Sequence, residues 1–78
     1  MAEIVNHPSH YQSDKGLEVI DVIDAFTQDL NGIEAFCVGN VIKYITRYKK
    51  KNGLEDVRKA AWYLNKLLAH LEERELHT

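Results

Sequence analysis

The sequence predicts an all-α fold, and three observations carry that prediction. Apolar residues recur at helical spacing through three segments. Two short breaks, D-L-N-G and K-N-G, separate those segments. The single proline, Pro8, lies ahead of all of them. The expected architecture is an N-terminal loop over residues 1–16 and one three-helix unit over residues 17–78. A short helix precedes two long antiparallel helices, and the whole is expected to assemble as a helical homo-oligomer. No internal repeat or low-complexity segment argues for a second domain.

The first helix is expected from about Leu17 to Gln28. Val19, Ile20, Val22, Ile23 and Phe26 occupy one broad face, although their β-branched content leaves a strand open. Ser13 or Asp14 is placed to cap its start. After D-L-N-G, Asn31 with Glu34 three residues on has the form of a capping box. The second helix then runs to about Lys50, with Ile33, Cys37, Val41, Tyr44, Ile45 and Tyr48 as a continuous stripe. K-N-G ends it, because Asn and Gly readily adopt the left-handed conformation of a C-cap. The third helix is the most regular. Leu54, Val57, Ala61, Leu64, Leu68 and Leu71 fall at alternating spacings of three and four, an a/d heptad seam. Such a seam suits packing on helix two within the chain, or a helix–helix interface between subunits. Both remain open at this point.

Size points toward association. A chain of 78 residues buries only roughly 60–65% of its unfolded surface. Small domains offset that shortfall with disulfides, metals or copies of themselves. Cys37 is the only cysteine, which excludes an internal disulfide. The N-terminus has neither the basic start nor the apolar core of a signal peptide. No apolar run approaches the roughly 20 residues needed to span a bilayer. The expectation is a soluble cytoplasmic protein with a reduced thiol at Cys37 and no membrane partner.

The net charge of −2 argues against nucleic acid as the partner, since small DNA-binding domains usually carry a strong basic excess. The positive charge is nonetheless clustered: K-Y-I-T-R-Y-K-K-K holds five of the ten Lys and Arg residues in nine positions. A local basic site on an acidic protein suits a small anionic ligand. Asn40, Lys43 and Arg47, at i, i+3 and i+7, fall within about 60° of one another on helix two. Such an edge can hold phosphate through an Arg fork, a Lys point charge and a neutral Asn donor. A solvated basic edge accounts for the same spacing. Gly39, inside a helix, implies close approach of another helix or of a ligand.

Aromatic residues accompany these charges: Tyr44 and Tyr48 on helix two, Trp62 and Tyr63 on helix three, and Tyr11 in the opening loop. Aromatic faces beside cations stack a base while its phosphate is gripped; core packing is the better account of Tyr44 and Tyr48, whereas Tyr11 lies outside any apolar period. On helix one, Glu18 and Asp21, with Asp24 beyond, form a carboxylate row suited to Mg²⁺ brought by a nucleotide, or to salt bridges with a neighbouring helix. Asp56 suits the positive N-terminus of helix three. His7, His10, Cys37, His70 and His77 make no zinc-ligand spacing, so no zinc is expected. Neither a P-loop nor a G-x-G-x-x-G cradle is present.

Four motifs, in order, carry a family resemblance: N-H-P-x-H-Y, G-N-x-I-K-Y-x-x-R, K-N-G and E-D-x-x-K-A-x-W-Y-L. Over about Val5 to Leu68 the chain resembles the SaV-like family of small phage proteins, a domain of unknown function. A related domain occurs in the T7-type phage nucleotide kinase, which phosphorylates deoxynucleoside monophosphates without a P-loop. The resemblance implies a phage protein acting in the host cytoplasm on a nucleotide or nucleotide-derived small molecule. It marks Asn6, His7, Pro8, His10 and Tyr11 in the loop; Gly39, Asn40, Lys43, Tyr44 and Arg47 on helix two; and Asp56, Lys59, Trp62 and Tyr63 on helix three. In that reading Tyr11 stacks on the base, His7 or His10 meets a phosphate or hydroxyl, and Asn40, Lys43 and Arg47 grip phosphate. An enzyme of the monophosphate-kinase type is one outcome, although the chain departs from that kinase in corresponding to its small domain alone. The alternatives are a non-catalytic oligomeric sponge for nucleotides or nucleotide second messengers, and a helical adaptor that docks on a host or phage protein.

Overall fold

A computed structural model describes residues 15–76. Three helices follow in order: α1 (Val19–Thr27), α2 (Gly32–Arg47) and α3 (Leu54–Leu76), with a 3₁₀ turn over Tyr48–Lys50 between the last two. No β-strand occurs among the described residues. Both α1 and α3 pack on α2, and α3 makes the larger contact. None of the described helices is long and apolar enough to cross a membrane. The expected loop carrying Asn6, His7, Pro8, His10 and Tyr11, the capping candidates Ser13 and Asp14, and His77 lie outside the described residues.

The helix ends differ in detail from expectation. The first helix opens at Val19 rather than Leu17, with Glu18 as its N-cap. Asn31 does occupy the N-cap of α2, but its side chain makes no capping bond. Its backbone carbonyl accepts from the Glu34 and Ala35 N–H groups instead, so the capping box is absent while the boundary it marked is correct. The second helix reaches the expected Lys50 only by tightening into a 3₁₀ turn. K-N-G ends it as expected. Gly53 takes a left-handed φ of 56°, and its N–H donates to the Tyr48 carbonyl at 2.7 Å.

Gly39 lets α1 approach closely. A Cβ built there would sit 3.3 Å from Ile23 Cγ2, inside ordinary contact distance. This is the helix-approach alternative of the sequence reading. Packed on α2, α1 half-buries Val19, Val22 and Ile23 and leaves Ile20 and Phe26 exposed. The broad apolar face expected for α1 is therefore covered on one side only.

Apart from half-buried Val57, the heptad seam of α3 is exposed rather than packed on α2. The residues turned toward α2 are Asp56, Ala60, Tyr63, Leu67 and His70, all buried or half-buried. Their spacing of four and three is also helical, one step around the cylinder from the seam. Leu64 is 55% exposed and Leu68 54%, and Leu54, Ala61 and Leu71 are exposed with them. Intrachain packing, one of the two readings of that seam, is set aside. The α2–α3 contact thus combines a buried carboxylate, the buried Ala60 and the half-buried Tyr63, Leu67 and His70.

Candidate functional site

The turn between α2 and α3 places the last residue of one helix against the first turn of the next. Arg47 Nε donates to Asp56 Oδ2 at 3.2 Å, and Arg47 Nη2 to Asp56 Oδ1 at 3.2 Å, a two-pronged pair. Asn52 adds its backbone N–H to Oδ2 at 3.1 Å and its side-chain amide to Oδ1 at 3.4 Å. Asp56 is wholly buried and Arg47 is 7% exposed. Burial pushes the Asp56 carboxyl up. The hydrogen bonds from Arg47 and Asn52, with the guanidinium charge, outweigh that and hold its pKa below the ordinary 3.8. The role given to Asp56 at the helix N-terminus is thus joined by a second one: it anchors the turn. Arg47, expected on a phosphate-gripping edge, has two of its nitrogens committed to that anchor.

Beside the pair lies an aromatic cluster. The Tyr44 ring stacks on Tyr63 at 5.9 Å between centroids and 11° between planes. Tyr63 meets Phe36 edge-on at 5.5 Å and Trp62 edge-on at 5.0 Å. Three cations surround the Tyr44 ring: Arg47 Cζ at 4.8 Å, Lys43 Nζ at 5.4 Å and Lys59 Nζ at 5.4 Å from its centroid. Among the described residues, no carboxylate pairs with Lys43 or Lys59. An open groove of about 260 Å³ is lined by Tyr44, Lys59, Trp62 and Tyr63. Trp62 is 60% exposed, so its ring is available to a ligand.

Of the residues singled out in the sequence, Lys43, Tyr44, Arg47, Lys59 and Tyr63 come together here. Asn40 stands apart in its bonding, since its amide donates to the Phe36 carbonyl of its own helix at 2.9 Å. Glu18 is the N-cap of α1 and Asp21 lies in its first turn, and no group of three or more metal-ligating side chains gathers among the described residues. Cys37 is fully buried, a free thiol within the apolar stripe of α2. Two features were not read from the sequence. The Arg47–Asp56 pair straddles the K-N-G break, and only the tightness of that turn brings its ends together. Trp62 is a groove wall that spacing does not reveal, because its exposure depends on which stripe of α3 faces α2.

The sequence matches the model of a family described as a protein of unknown function (DUF3310) over residues 5–65. The chain is also similar to the Gene 1.7 protein of Enterobacteria phage T3, with 38% identity over 63 residues. That match covers 76% of this chain and 38% of the phage protein, so the chain spans well under half of that relative's length. No solved structure matches. With most of its length inside the family match and a phage protein among its relatives, the chain belongs to the DUF3310 family.

Proposed function

We propose that the groove between α2 and α3 binds a nucleotide or nucleotide-derived small molecule. The observation that carries this reading is the set of three cations around the Tyr44 ring, beside a groove walled by the exposed Trp62. A planar base stacks on Trp62 or Tyr63, and its phosphate lies against Lys43 and Lys59. Arg47 contributes charge at short range while its fork remains on Asp56. A phosphate carried with Mg²⁺ is compatible with this arrangement, because the metal then arrives on the ligand. The resemblance of the motifs to a phage nucleotide-kinase domain supports the same ligand class.

Isothermal titration with dTMP, dGMP and ATP, each with Mg²⁺, tests the reading. The expected result is saturable binding to at least one of them. Trp62→Ala should weaken it by about tenfold, as expected for the loss of one stacking contact. Lys59→Ala should weaken it further at low salt than at high salt. Conversion of dTMP in the presence of ATP, followed in the same samples, separates a phosphotransferase from a binder. No heat with any of the three ligands overturns the mononucleotide assignment and leaves the second-messenger and adaptor alternatives.

A further inference from the structure

We infer that α3 pairs with α3 of a second copy of this chain, antiparallel, through the seam that α2 leaves uncovered. The seam positions 54, 57, 61, 64, 68 and 71, all exposed except half-buried Val57, are palindromic: spacings of 3, 4, 3, 4 and 3 read the same in both directions. A two-fold axis midway between Ala61 and Leu64 therefore sets every seam residue against another. Leu54 meets Leu71 of the partner subunit, Val57 meets Leu68 of the partner subunit, and Ala61 meets Leu64 of the partner subunit. Such an isologous contact is self-complementary by construction. In the last pair a small side chain opposes a large one, as interdigitating layers require.

The charges beside the seam have the same symmetry. On one edge lie Arg58, Asn65 and Glu72, spaced seven apart. In the antiparallel register Arg58 approaches Glu72 of the partner subunit, its symmetry mate repeats the contact, and the two Asn65 side chains meet near the axis. A parallel pairing offers no such match, because Arg58 and Glu72 then face the opposite edge of the other helix. That opposite edge carries Ala60 and Leu67, which are already turned toward α2. The two α2 helices thus fall on one side of the α3 pair, giving a four-helix arrangement. Trp62, one turn from Arg58, stays on the open edge, so the proposed ligand groove remains reachable. The inference does not depend on that groove or its ligand.

Sedimentation of the full chain tests the contact, with charge exchange as the deciding measurement. The protein is expected to sediment as a dimer or an even multiple of it. Leu68→Glu should give a monomer of unchanged helicity by circular dichroism. Arg58→Glu alone should raise the dissociation constant by about tenfold, and the R58E/E72R double exchange should return it to within about threefold of the original. Asn65→Cys is expected to form a disulfide between copies on mild oxidation, and Leu54→Cys is not. A chain that stays monomeric up to its solubility limit overturns the inference, as does a dimer that survives Leu68→Glu. Failure of the double exchange to restore pairing, or self-crosslinking at Leu54→Cys, overturns the antiparallel register. If Leu68→Glu loses its helicity, the charge exchange still decides, because its sites are exposed.

Discussion

Two stripes of α3 run side by side and differ in almost every respect. The stripe against α2 contains Asp56, Ala60, Tyr63, Leu67 and His70, a mixture of charge, small residues and rings. The neighbouring stripe is a regular row of leucines with Val57 and Ala61, and all of it but half-buried Val57 is exposed. Ordinarily the more apolar stripe marks the core. Here the intrachain contact of α3 rests instead on a buried ion pair and on the buried Ala60, while Gly39 of α2 admits Ile23 of α1. The strongest hydrophobic pattern of α3 therefore lies on the face that α2 leaves exposed.

The comparison is broken most severely at the polar end of the packed stripe. Arg47→Ala removes the cation from a fully buried carboxylate and strands its charge. A drop in melting temperature of about 10 °C or more is expected, read by circular dichroism at fixed protein concentration. Adjacent alanines sharpen the contrast. Ala60→Leu forces extra methylenes into the α2 contact and should cost about 1–3 kcal/mol in chemical denaturation. Ala61→Leu, on the exposed stripe, should change the unfolding free energy of the dilute chain by only about 0.5 kcal/mol.

Acid distinguishes the stripes in another way. The folded pKa of Asp56 is lower than its unfolded value, so its ionised form stabilises the native state at pH above 3.8. That contribution is lost as the pH falls below 3.8 toward the depressed folded value. A pH series of melts should therefore show a loss of stability in that range, and the loss should be smaller in Asp56→Asn. The smallest effect is expected at Gly39→Ala. The added methyl favours the helix by about 1 kcal/mol, and displacement of Ile23 by a few tenths of an ångström offsets much of it. A melting temperature within about 3 °C of the parent is expected.

Much of the fold was legible because its punctuation is chemical. Gly53 ends the 3₁₀ turn for the reason glycine suits any left-handed position, and Asn31 marks the start of α2 although its side chain does not cap. Five of the expected ligand residues also converge, because Lys43, Tyr44 and Arg47 share a face of one helix and Lys59 and Tyr63 share a face of the next. Asn40 shows the limit of spacing. It lies near the same face, but its amide bonds to a local carbonyl. Arg47 shows another limit, since a cation's partner across a turn is invisible until the turn is closed.

The sequence by itself determined that this protein is helical, where its helices break, and that it carries one palindromic heptad seam. Those properties depend on residues within a few turns of one another. Only the tertiary structure decided which stripe of α3 meets α2, that Arg47 and Asp56 form the buried anchor, and that Trp62 walls an open groove. The reason is rotational: adjacent stripes of a helix differ by a fraction of a turn, and periodicity alone gives both the same score. The choice between them is made by how closely two helices can approach, and by where a buried charge finds its partner.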